Sequence, residues 1–173
     1  MKILTLCLAA QLTALAASHL FAGDLTWDGN TALPLLQDGG GSWTTTATDR
    51  WSNGGSSQAW GTTLPPNNAI FGIGNDAAAP VTVDGAINVG NMTFNAALTG
   101  NYDIAPGSGT LSLASPTNST ITTNAAATIS ANLGGSGPLI KAGTAALTLS
   151  GTISFPARDI GTNATSGSLR APR

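Results

Sequence analysis

Asp24 and Asp28 stand four positions apart on either side of Trp27, the closest-spaced carboxylates in the chain. Paired aspartates can divide the acid and nucleophile roles of glycoside hydrolysis. Here no further carboxylate and no basic residue accompanies them in sequence, so they read as solvated loop residues beside a tryptophan. The other residues that could carry chemistry are few. All eight acidic residues are Asp, Glu is absent, and the single Cys7 and single His19 both fall near the N-terminus. Arg50 and Lys141 are the only bases between residues 23 and 157, whereas polysaccharide lyases need bases gathered around one proton. Ser-His-Asp and Cys-His nucleophiles, His- or Cys-based zinc sites and Glu acid-base pairs are all excluded once the N-terminal segment is removed. The sequence therefore assigns no catalytic residue, no metal ligand and no cofactor-binding residue.

Trp27, Trp43, Trp51 and Trp60 are the candidate binding residues, because an exposed indole offers a large apolar face and an N–H donor for a sugar ring. The competing expectation is that they close the end of a fold with few other large side chains, since Gly, Ser, Thr and Asn surround them. Three weaker motifs are turns or loops in this reading. Gly72-Ile73-Gly74-Asn75-Asp76 resembles the end of a calcium-binding nonapeptide, but Phe71 stands where the leading glycine belongs and no second copy follows. Gly107-Ser108-Gly109 lacks the third glycine of a dinucleotide fingerprint, and the sequons at Asn91, Asn118 and Asn163 matter only in a glycosylating host.

The elements that must position these residues are short strands. Of 173 residues only 8% are charged, 22 are Gly, and Thr, Ser, Asn and Ala fill the remainder, a composition for tight turns and not for exposed helices. A net charge of -2 leaves no basic footprint for nucleic acid or anionic lipid. Lys2, the apolar run Ile3 to Ala17, which is shorter than a membrane span, and the small residues up to Ala22 make residues 1–22 a signal peptide, with cleavage after Ala16, Ser18 or Ala22. Residues 23–79, rich in Trp and Gly, form an N-terminal cap region. Residues 80–152 change to period-2 alternation in Val81/Val83, Ile87/Val89, Met92/Phe94, Leu111/Leu113 and Leu147/Leu149. With Phe94, Ile104, Leu113, Ile121, Ile129, Ile140 and Leu149 as inward anchors, strands recur every eight to eleven residues, and two strands make a coil of roughly 20 residues. The expected fold is all-β, a right-handed parallel β-helix or solenoid. A β-sandwich is the alternative, disfavoured because core aromatics are missing between Tyr102 and Phe155.

The segment from Gly135 to Gly151, GSGPLIKAGTAALTLSG, resembles the autotransporter-associated β-strand repeat, whose usual form is G-x-G-x-L-x-K-x-G-x-G-x-L-T-L-x-G. Gly135, Gly137, Leu139, Lys141, Gly143, Leu147, Thr148, Leu149 and Gly151 match, and Ala145 replaces the third glycine. The segments Thr26-Trp27-Asp28-Gly29-Asn30, Trp51-Ser52-Asn53-Gly54-Gly55 and Asn68-Ala69-Ile70-Phe71-Gly72, together with Trp43, are similar to the N-terminal region of long secreted bacterial proteins that carry such repeats. The resemblance implies an extracellular β-helical passenger or stalk and says little about activity. In that frame Leu139, Leu147 and Leu149 point inward, Thr148 points outward, Gly135 and Gly143 supply turns with positive φ, and Lys141 guards a strand edge against association.

After Gly151 the pattern breaks, and three of the six basic residues crowd into the last 16 positions, Arg158 to Arg173. Residues 153–173 are expected to be an atypical disordered tail, and the chain a truncated or frameshifted member of its kind. The expected function is that of a secreted or cell-surface structural, adhesin-like passenger on the bacterial outer surface, not an enzyme. It would need no cofactor and bind no nucleic acid, and it would have no membrane span after signal removal. Extracellular polysaccharide and self-association through exposed strand edges are the expected partnerships. A polysaccharide-binding or polysaccharide-degrading β-helix is the alternative.

Overall fold

The computed structural model describes residues 22–62, 64–115, 117–155, 160–161 and 169–170, the last two pairs by their backbone alone. The signal-peptide segment with Cys7 and His19 lies outside the described residues, apart from Ala22, as does the sequon at Asn163. Among the described residues there is no helix, and short strands stack into a parallel β-solenoid of about four turns.

The first turn contains β1 (Asp24–Trp27), β2 (Gly41–Trp43) and a hairpin of β3 (Trp51–Ser52) and β4 (Ser57–Gln58). The next holds β5 (Asn68–Phe71), β6 (Val81–Val83) and β7 (Ala86–Val89), followed by β8 (Met92–Phe94), β9 (Asp103–Pro106) and β10 (Thr110–Leu113). Then come β11 (Ser119–Thr123), β12 (Ala127–Ile129) and β13 (Leu133–Gly135), and after them β14 (Leu139–Ala142), β15 (Leu147–Leu149) and β16 (Ile153–Ser154). β17 (Ile160–Gly161) and β18 (Leu169–Arg170) extend two of the faces. Three sheets result, in the orders β17-β14-β11-β8-β5-β1-β3-β4, β18-β15-β12-β9-β6-β2 and β16-β13-β10-β7. Every pairing is parallel except β1 with β3 and β3 with β4. A sandwich would pair neighbouring strands antiparallel.

Period-2 alternation makes each face half wet and half dry, and parallel stacking converts the dry halves into columns. One inner column runs through Leu25, Ala69, Met92, Ile121 and Lys141. Its neighbour starts with Trp51 opposite Trp27 and continues through Phe71, Phe94 and Thr123. On the third face Ile87, Leu111, Leu133 and Ile153 stand opposite one another. The core passes from indoles at the N-terminal end to aliphatic side chains at the other.

Four features differ from the sequence reading. A coil takes three strands, not two, and it is uneven, 29 residues from Met92 to Ile121 and 20 from Ile121 to Lys141. The third strand escaped notice in Leu133-Gly134-Gly135, which reads as a turn yet pairs with both β10 and β16. Ile140 is not an inward anchor: in β14 the buried residues are Leu139 and Lys141, so the alternation is shifted by one. The boundary near residue 80 is not structural, because β1 and β2 of the cap region already pair in parallel with β5 and β6. Beyond Thr152 the backbone carries the coil further, with β16 on β13, β17 on β14 and β18 on β15, and Ile153 and Phe155 pack against the core. Residues 156–159, 162–168 and 171–173 of the expected tail lie outside the described residues.

Candidate functional site

The four tryptophans are brought together, but facing inward. Trp27, Trp43, Trp51 and Trp60 are each 1% exposed or less, and Trp51 has ring centroids 5.2, 4.9 and 4.6 Å from Trp27, Trp43 and Trp60 respectively. Phe71 extends the cluster towards Phe94, on which it stacks at 5.2 Å and 12°. None of these indoles offers a face to a sugar, which corrects the carbohydrate-contact expectation for Trp27, Trp43, Trp51 and Trp60. Their placement follows from the strand pattern: Trp27 and Trp43 end β1 and β2 at inward positions, and Trp51 opens the antiparallel β3 directly opposite Trp27. The β3–β4 hairpin thereby covers the edge of β1, which would otherwise invite association. Trp60 covers another edge, donating its Nε1–H to the Asn88 carbonyl of β7 at 3.0 Å, and Trp27 donates to Gly39 O at 3.0 Å. The indole N–H groups of Trp43 and Trp51 are buried without a partner among the described residues, a cost of about 1–3 kcal/mol each that ring packing must offset.

The aspartates are dispersed and mostly occupied. Asp24 accepts a hydrogen bond from Asn68 Nδ2 at 2.8 Å, whereas Asp28, past the other end of β1, accepts from the amides of Asn30 and Gln37 at 3.0 and 3.2 Å. The two therefore serve different local structures and share no site. Asp38, buried, is a polar centre that sequence reading missed. Its carboxylate accepts the amides of Ile73, Gly74 and Asn75 at 3.0, 2.8 and 3.0 Å and the Tyr102 hydroxyl at 2.8 Å. The loop suspected of calcium binding thus turns amides, not carbonyls, towards its centre, aided by positive φ at Gly72 and Gly74. Burial, and then the hydrogen bond donated to Asp38, push the Tyr102 phenol above its usual pKa. Ser42 Oγ and the amide and hydroxyl of Ser108 donate to Asp84, lowering its pKa, and Ser130 donates to Asp103.

Lys141 does not guard an edge. It is 1% exposed, inside the coil, and its Nζ donates to Gly143 O at 2.7 Å and Ala142 O at 3.3 Å. Burial lowers its pKa. The repeat-like residues around it serve the corners of one coil. Gly143 has φ +78°, and a Cβ there would meet Thr123 O at 2.3 Å. Gly135 is not a positive-φ turn residue but a strand residue whose missing side chain leaves room for the Phe155 ring, which a Cβ would meet at 2.3 Å. A Cβ on Gly151 would meet Ala131 O at 2.2 Å, whereas one on Gly137 would come no nearer than 3.1 Å to Thr117 O. Leu139, Leu147 and Leu149 are buried, with Thr148 partly exposed between the last two.

An open cleft of about 520 Å³ lies at the N-terminal end of the solenoid. It is lined by the stretch Leu33 to Leu36, by Ser52 and Gly54 to Ser57, and by Asp28 and Asp49. Among the described residues no group of three or more His, Cys, Asp or Glu side chains is placed to hold a metal, and no helix is long and apolar enough to cross a membrane. No protein-family model matches the chain, and no curated protein or solved structure shows similarity to it.

Proposed function

We propose that this chain is a secreted or cell-surface passenger of the autotransporter-associated repeat kind, a β-helical rod that holds loops away from the cell and performs no catalysis. The observation that carries this reading is the use made of the carboxylates. Six of the seven described aspartates accept hydrogen bonds from the protein's own turns and coils; Asp49 alone has no such donor. Carboxylates held this way stitch successive coils and loops together, and a hydrolase or lyase needs instead two acids, or an acid and bases, converging on one open position. Gly143, Gly151, Leu139, Leu147 and Leu149 of the repeat-like segment support the same reading, since these glycines stand where a side chain would strike the neighbouring coil and these leucines fill the core. A polysaccharide-degrading β-helix is the alternative, and it would have to work with Asp49 and the free Oδ2 of Asp28, which line one cleft.

Surface labelling tests the proposal. On intact cells of a strain producing the chain, an impermeant amine- or carboxylate-directed reagent, or an antibody to residues 30–36, should mark the protein without lysis. Retention inside the cytoplasm, with labelling only after lysis, would sink the passenger reading.

A further inference from the structure

The cleft at the N-terminal end has the character of a binding site for a basic, extended peptide. Three independent observations converge there. First, Asp28 is 95% buried by its own loop yet lines the cleft, and only its Oδ1 is engaged, by the amides of Asn30 and Gln37; Oδ2 has no hydrogen-bond partner among the described residues. An oxygen at the cleft that no protein donor engages can accept from a cation that brings its own donors. Asp49 stands in the same cleft, exposed, and Arg50 is engaged on backbone, its Nη1 donating to Gly29 O at 3.0 Å and Asp28 O at 3.4 Å with its guanidinium 5.8 Å from the Trp27 ring.

Second, two leucines in the lining are uncovered, Leu33 47% and Leu35 73% exposed. In a chain whose other large apolar side chains are mostly buried, two leucines held open beside two carboxylates match the aliphatic stems and side chains of a basic-apolar segment. Third, Ser57 in the cleft belongs to β4, the terminal strand of the eight-stranded sheet, paired on one side only with β3. An unpaired strand edge offers backbone donors and acceptors to an incoming extended chain, a feature that suits a peptide better than a sugar. The volume, about 520 Å³, lies within the range of sites for ligands of a few residues.

We propose that this cleft binds an extended peptide alternating basic and apolar residues, its backbone along β4, its ammonium or guanidinium groups on Asp28 and Asp49, and its apolar side chains on Leu33 and Leu35. The inference rests on the cleft alone and not on where the chain is exported. It is tested by fluorescence anisotropy of short labelled peptides, N-acetylated and C-amidated, titrated with the full secreted chain. A leucine-lysine alternating peptide should bind saturably and more weakly as salt is raised, and a leucine-glutamate alternating peptide should not bind. Asp49→Asn and Leu35→Ser change exposed side chains and leave the fold intact by circular dichroism; each should weaken binding by about fivefold. Asp28→Asn keeps one carbonyl acceptor for the loop amides and should weaken binding about tenfold or more; if it fails to fold, the other two variants decide. Binding that ignores both Asp49→Asn and Leu35→Ser, equal binding of the glutamate peptide, or tighter binding of glucosamine oligomers than of the lysine peptide would overturn the proposal.

Discussion

Lys141 is the most exceptional single residue in the molecule. It ends an inner column of Leu25, Ala69, Met92 and Ile121, and among the described residues no carboxylate pairs with it. An ammonium in such a column is held by two corner carbonyls and disfavoured by its lost hydration. Because its folded pKa lies below the ordinary lysine value, the folded state binds fewer protons than the unfolded chain, and stability rises with pH from the lowered pKa up to that ordinary value. Tyr102 acts in the opposite sense at the alkaline end. Its raised pKa means that the unfolded state releases the phenolic proton first, so the phenol's contribution is whole below about pH 10 and is lost above it. Lys141→Met should therefore raise stability at pH 7 by about 1–2 kcal/mol, with the gap to the wild type narrowing as pH rises towards 10. Denaturant melts across that range check this; a Met variant that is less stable at pH 7 would show that the two carbonyl hydrogen bonds outweigh the desolvation. The sequence led to the wrong face here because Leu139-Ile140-Lys141-Ala142 offers an isoleucine as the obvious inward residue, and the parity of a four-residue strand is fixed only by its neighbours.

At the scale of elements, corners and strands divide the work. β15 carries Leu147 and Leu149 inward and Thr148 outward, and Gly143 before it makes a corner that approaches the Thr123 backbone too closely for any side chain. Leu149→Asp would bury an unpaired charge in an apolar column and should cost about 3–5 kcal/mol, whereas Thr148→Asp should stay within about 1 kcal/mol. Circular dichroism melts that found the two equally damaging would invert the assignment of this strand. Much of this was legible: alternation identified the strands, and the corner role of Gly143 follows from its place after Lys-Ala. On the third face β7 and β10 alternate, and β13 is the strand without a signal. Leu133-Gly134-Gly135 has no alternation to detect, because the side chain that fills the space at Gly135 is Phe155, contributed from the next coil. A strand completed by a residue 20 positions away leaves no local signal.

At the scale of the whole molecule, the solenoid is asymmetric. Its N-terminal end carries an antiparallel hairpin that pairs with β1 and a cluster of four indoles, of which Trp60 donates to Asn88 O of the edge strand β7. The sequence separated this cap from the coils because its glycine clusters break the periodicity, yet β1 and β2 are in register with the coils below them. Residues 80–152 alone should consequently self-associate, since β6, β7 and β8 would present bare parallel edges. Sedimentation should find oligomers where the chain from residue 23 onward gives mostly monomer, and a monomeric fragment with a sharp cooperative melt would contradict this. Within the cap, Trp51→Ala should cost about 3–5 kcal/mol, since Trp51 touches the other three indoles and Phe71.

The central claim is that the chain is a passenger that holds and presents and does not cleave. The direct measurement is incubation of the purified chain from residue 23 onward with pectin, alginate, xylan and cellulose, with and without calcium, reading unsaturated and reducing ends. The account predicts no release above a denatured control, because the described carboxylates are dispersed and six of seven are bound to the protein's own donors. Release that disappears on replacing a single residue, Asp49→Asn or Arg50→Ala, would contradict it and establish an enzyme.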